Sequence, residues 1–93
     1  MDDSLGHRLS AAAAALKAAG AREVYVFGSA ATGRLTDESD VDLAVAGLPA
    51  HKFFHAMGAA GDALGRPIDL IDLDDENLFT AYLKRKGKLQ RVA

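Results

Sequence analysis

The chain has 93 residues, a length that allows one domain with a modest core. Its hydrophobic fraction of 49% and charged fraction of 26% match a folded protein and argue against disorder. A net charge of −2 excludes a general electrostatic grip on nucleic acid, the lack of cysteine excludes disulfides and thiolate metal sites, and no apolar run approaches the roughly 20 residues that span a bilayer.

Asp2, Asp3 and Ser4 are N-cap candidates for a first helix, and Leu5, Leu9, Ala12 and Leu16 follow at helical spacing. The alanine run from Ala11 to Ala15 reads as a thin helix face suited to close packing on a sheet, and Gly20 as its stop. Val24 to Phe27 reads as a short buried strand ended by Gly28. Residues 30–39 form a loop, with room for a helical turn after Ser29. Asp40 to Ala46 is a second strand: Val41, Leu43 and Val45 share one face, while Asp40, Asp42 and Ala44 share the other.

Gly47-Leu48-Pro49 breaks that strand. A helix follows over 50–64, with Phe53, Met57, Ala60 and Leu64 in one stripe, and Gly65 stops it. Pro67 opens a third strand through Ile71. Asp74 or Asp75 then caps a last helix with Leu78, Phe79, Tyr82 and Leu83 inward, Gly87 ends it, and Lys88 to Val92 adds a short edge strand. No repeat or linker divides the chain. Residues 1–93 read as a single α+β (mixed α/β) domain, with a small sheet of three to four strands flanked by helices.

Three features bear on chemistry. Gly28 after a strand permits a backbone turn other residues resist, and Ser29 follows it with a hydroxyl and nearby N–H groups suited to phosphate. Asp40 and Asp42 lie two apart on a strand, so their carboxylates point the same way; like charges at that range raise each other's pKa or call for a cation. Asp69 lies between Ile68 and Leu70, where a carboxylate is costly unless it faces a site or a partner. Asp72 has the opposite strand parity and is the weaker candidate. Mg²⁺ suits such a set, because it takes a few carboxylates and fills its remaining positions with phosphate and water.

Other residues are set aside. His51 and His55 stand four apart on a helix but opposite its apolar stripe, with no glutamate to complete a zinc motif. Tyr25 and Tyr82 read as core or rim aromatics. The basic run Lys84, Arg85, Lys86, Lys88 and Arg91 reads as a solvated helix end, where cations suit the helix dipole.

Taken together, Phe27-Gly28-Ser29, Gly33, Ser39-Asp40-Val41-Asp42-Leu43, Ile68-Asp69-Leu70 and the closing Gly87-Lys88-Leu89 resemble the polymerase-beta-like nucleotidyltransferase superfamily. The nearest likeness is to the minimal nucleotidyltransferases, and it runs over nearly the whole chain. It implies a nucleotidyltransferase fold in which Gly28 and Ser29 hold the β- and γ-phosphates of ATP. Asp40, Asp42 and Asp69 would bind two Mg²⁺ ions, with Asp69 on the acceptor side helping to deprotonate the attacking hydroxyl. Many relatives carry arginines where this chain has Ala30, Ala31 and Thr32, so Arg34 is the substitute phosphate contact.

The resemblance also implies an antitoxin paired with a helical HEPN-type toxin, carrying AMP from ATP to a hydroxyl of that protein. No residues are left over for a second substrate-binding lobe, so the partner is expected to bring the acceptor. The alternative is a catalytically inactive module that keeps the fold and neutralises its partner by contact. A nucleic-acid polymerising or tailing enzyme is disfavoured by the acidic balance. An acidic N-terminus without the basic start of a signal peptide makes the cytoplasm the expected compartment.

Overall fold

The computed structural model describes residues 5–32, 40–86 and 88–93. The elements run α1 (Leu5–Ala18), β1 (Glu23–Phe27), α2 (Ser29–Thr32), β2 (Val41–Ala46), a 3₁₀ turn (Ala50–Lys52), α3 (Phe53–Leu64), β3 (Ile68–Asp72), α4 (Leu78–Lys86) and β4 (Gln90–Arg91). The expected N-caps of α1 and the expected stop at Gly87 lie outside the described residues.

Among the described residues four strands form one sheet in the order β3-β2-β1-β4. β1 is antiparallel to both β2 and β4. β2 and β3 are parallel, which requires a crossover, and α3 supplies it. The period-2 alternation along β2 sends its side chains to two different cores. Val41, Leu43 and Val45 join Val24, Val26 and Leu70 under α1 and α3, meeting Ala12, Ala13 and Leu16 from the one helix and Ala56, Ala60 and Leu64 from the other. The alanines let both helices sit close, and each buried leucine contributes roughly 1.5–3 kcal/mol over its exposed state. On the opposite face Phe27, Ala44, Leu73 and Leu83 form a smaller cluster beneath α4.

The helix ends follow from local chemistry. Gly20, with φ of 122°, ends α1: its N–H donates to the Lys17 carbonyl and that of Ala21 to the Leu16 carbonyl, the paired pattern of a Schellman stop. Gly65 caps α3 in the left-handed region, as expected, and Ala56 joins Ala60 and Leu64 at the centre of that helix's buried face.

The start and the inward face of α4 differ from the sequence expectation. The helix is capped by Asn77, whose Oδ1 accepts from the Thr80 N–H at 3.0 Å, while Thr80 Oγ1 accepts from the Asn77 N–H at 3.1 Å. Asp74 turns away, its Oδ2 accepting from the Gly47 N–H at 2.7 Å. Thr80 and Leu83 are the buried residues of α4, whereas Leu78, Phe79 and Tyr82 are exposed. The cap sets the helix phase, so the apolar positions at its start project past the edge of the small core.

Candidate active site

β1 ends at Phe27, and Gly28 turns the chain with φ of +66°. Ala31 N, Thr32 N and Thr32 Oγ1 all donate to the Gly28 carbonyl at 3.1 to 3.3 Å, which closes the single turn of α2. Ser29 begins that turn half-buried. Gly33, Arg34 and Ser39 lie outside the described residues.

Strand register assembles the acidic part. In β1–β2, Phe27 faces Asp42; in β2–β3, Asp42 faces Asp69. The row Phe27–Asp42–Asp69 therefore crosses three strands, with Gly28 at one end. A Cβ placed on Gly28 would collide with Asp42 Oδ2, so the absence of a side chain at position 28 is what lets this carboxylate lie against the turn. Asp42 is half-buried and Asp69 exposed. Asp40 is exposed and stands just before β2, not inside it. Asp72 is the last residue of β3, and its Oδ1 accepts from the Asp74 N–H at 2.9 Å, a local turn remote from the Asp42 row.

The electrostatics agree with this geometry. Burial, then the Asp69 charge, then the Asp40 charge hold the Asp42 carboxyl above its ordinary value of 3.8. Among the described residues no three His, Cys, Asp or Glu side chains close into a metal cage. A cation here would draw on few protein oxygens and complete its shell from elsewhere. Carboxylate-only donors with that openness fit Mg²⁺, which keeps water and phosphate in its shell, and not a caged transition metal.

Sequence reasoning missed the wall beside these carboxylates. A hollow of 300 Å³ is lined by Gly28, Thr32, Asp42, Phe79, Tyr82 and Lys88, among others. Phe79 meets Phe27 edge-on, with ring centroids 6.0 Å apart. Lys88, assigned to a solvated helix end, instead comes back from α4 beside Gly28 and Asp42. The signal available in the sequence was its place two residues beyond Lys86, the last residue of α4.

A family model described as polymerase beta, nucleotidyltransferase matches residues 14–89. No curated protein matches the chain. A solved structure of a minimal nucleotidyltransferase is similar at 25% identity and a TM-score of 0.74, covering 96% of this chain and 91% of that one. A toxin–antitoxin crystal structure with AMP-PNP is similar in fold at 20% identity and a TM-score of 0.71, covering 92% of this chain and 70% of that one. A mutant of the MntA–HpeT toxin–antitoxin is similar in fold at 18% identity and a TM-score of 0.66, covering 85% of this chain and 66% of that one.

Proposed function

Because the chain belongs to the polymerase beta nucleotidyltransferase family, we propose that it transfers AMP from ATP to a hydroxyl of a protein partner, as the antitoxin of a toxin–antitoxin pair. The observation that carries this reading is the register that places Asp42 beside Asp69 and under the Gly28 turn. Two of the similar structures are toxin–antitoxins, one of them holding AMP-PNP, which supports an adenine nucleotide and a toxin partner; that this toxin is of the helical HEPN type is part of the proposal. Among the described residues no helix is long and apolar enough to cross a membrane, and a cytoplasmic place of action suits the reading.

Asp40 and Asp42 would hold Mg²⁺ on the triphosphate side, and Asp69 would share a second ion on the acceptor side. When bound, the ions neutralise the triphosphate and lower the pKa of the attacking hydroxyl. Gly28 and Ser29 position the β- and γ-phosphates, with Arg34 as a further candidate from outside the described residues. The acceptor oxygen bonds to the α-phosphorus as the bond to the bridging oxygen breaks and pyrophosphate leaves. The exposed Asp69 carboxylate takes the hydroxyl proton. Positioning and charge do most of this work, as in other phosphoryl-type transfers.

Among the described residues lining the hollow, Lys88 supplies the one cation and Asp42 the one anion. Lys88→Met is expected to weaken Mg²⁺·ATP binding by roughly tenfold, the size of one charge-assisted contact at a solvated site, while Lys88→Arg retains most of it. Equal affinities in calorimetric titrations of all three proteins would remove Lys88 from the site.

The reading as a whole is tested by titrating ATP with and without Mg²⁺ into wild type and Asp40→Ala/Asp42→Ala, then adding labelled ATP and the protein encoded beside this chain. Mg²⁺-dependent binding and label transfer, both lost in the double variant, are expected. A partner neutralised equally well by both proteins, with no label transferred, would replace the enzyme by a contact-only module.

A further inference from the structure

A groove of 450 Å³ runs along β3, the outer strand of the sheet, between the starts of α3 and α4. Its walls include Phe53, Phe54, Ile71, Asp72, Asp75 and Phe79. Single exposed apolar side chains are common on protein surfaces. Here they gather on one rim: Phe54 is 77% exposed, and Leu78, at 92%, sits between the groove-lining Asn77 and Phe79. Gathered apolar surface of this kind marks a place where something docks.

Two observations say what docks there. First, the groove and the active-site hollow share a wall, Phe79. Ile71 lies two residues along β3 from Asp69 and on the same face, which at about 3.3 Å per residue is roughly 7 Å. A chain seated in the groove therefore reaches the acceptor side of the carboxylates with one side chain. Second, among the described residues the charged side chains lining the groove, Asp72 and Asp75, are acidic, and exposed Glu76 follows them on the α4 side, while exposed His51 and Lys52 flank the α3 side. Toward the α4 side an occupant must bring apolar side chains flanked by cations.

We infer that this groove is where the acceptor protein docks, through a segment that alternates or clusters apolar residues with lysine or arginine and places the acceptor hydroxyl beside Asp69. The inference rests on the transferase reading and adds the surface and the chemistry of the partner to it. Rim residues stay apart from the catalytic machinery, so Phe54→Glu/Leu78→Glu changes the dock and leaves the nucleotide site in place.

Sedimentation with the protein encoded beside this chain tests it, together with Mg²⁺·ATP titration and label transfer on the same samples. The double variant is expected to weaken the complex tenfold or more and to lose label transfer in step, with ATP affinity unchanged; roughly 1.4 kcal/mol at a docking centre accounts for the tenfold. Ser10→Glu, an added charge on the exposed side of α1, is expected to change neither. Added salt should weaken the wild-type complex. A complex that survives Phe54→Glu/Leu78→Glu, no complex with wild type that binds ATP, or a homodimer of this chain broken by the same substitutions overturns the docking surface alone. Failure of wild type to bind Mg²⁺·ATP strikes the transferase reading instead.

Discussion

Asp42→Asn is expected to abolish Mg²⁺-dependent ATP binding and to cut transfer by about a thousandfold, the consequence of losing several kcal/mol of metal-borne charge stabilisation. The same substitution is expected to stabilise the protein when no metal is present. Burial, Asp69 and Asp40 hold the Asp42 carboxyl above 3.8. A carboxyl raised on folding binds its proton more readily in the native state, so its ionisation costs stability as pH rises through the window above 3.8. At neutral pH the cost is present in full; below the ordinary value it is gone. Because Asp42 is only half-buried, solvent keeps the relief under about 1 kcal/mol, which for a domain of this size bounds the shift at about 4–8 °C. Asn keeps the shape and removes the charge, so the variant should melt above wild type at neutral pH and converge with it in acid. Mg²⁺ with ATP reverses the order, since a ligand that binds only folded wild type raises only its melting temperature. A variant that melts below wild type at neutral pH without metal would show that Asp42 is structural.

The parts of this site differ in how legible they are. β2 announces itself because a period of two separates Val41, Leu43 and Val45 from Asp42 and Ala44 within a few residues. That Asp42 faces Asp69 is not written locally: it depends on a parallel pairing set by the length and packing of α3. The motif likeness gave the two carboxylates a common purpose, and the register gives them a common place. The start of α4 misleads for a definite reason. Asp74, Asp75 and Asn77 are all good N-caps in isolation; the reciprocal bonds between Asn77 and Thr80, with Asp74 engaged at Gly47, decide among them. Leu78, Phe79 and Tyr82 are apolar at helical spacing, which reports a face that seeks cover without saying whether this chain provides it. Lys88 was hidden by its neighbours, since a basic run looks solvated until the fold places one member in the lining with Asp42.

Gly28→Ala should be as damaging as the loss of a carboxylate, through geometry instead of charge. Two costs combine at this position. The backbone sits at φ of +66°, where a Cβ costs roughly 1–2 kcal/mol. That Cβ would also strike Asp42 Oδ2, forcing either the turn or the carboxylate out of place. Gly65→Ala isolates the first cost: its φ is +79°, and the nearest atom to an added Cβ is Arg8 Nη1 at 3.6 Å, an ordinary contact. Gly28→Ala is therefore expected to lose more stability than Gly65→Ala, and to lose Mg²⁺·ATP affinity about a hundredfold where Gly65→Ala loses none; that is the size of effect a misplacement of about an ångström can have on a positioned site. The excess should belong to the pair and not to the glycine. An Asp42→Ala background removes the two closest atoms and leaves the Cβ at position 42 at 3.6 Å, an ordinary contact, so Gly28→Ala should there cost no more than Gly65→Ala. A double-mutant cycle measured by thermal melts reads this directly. Coupling near zero would mean that the turn and the carboxylate are independent, and that the halves proposed to hold phosphate and metal are not built as one piece.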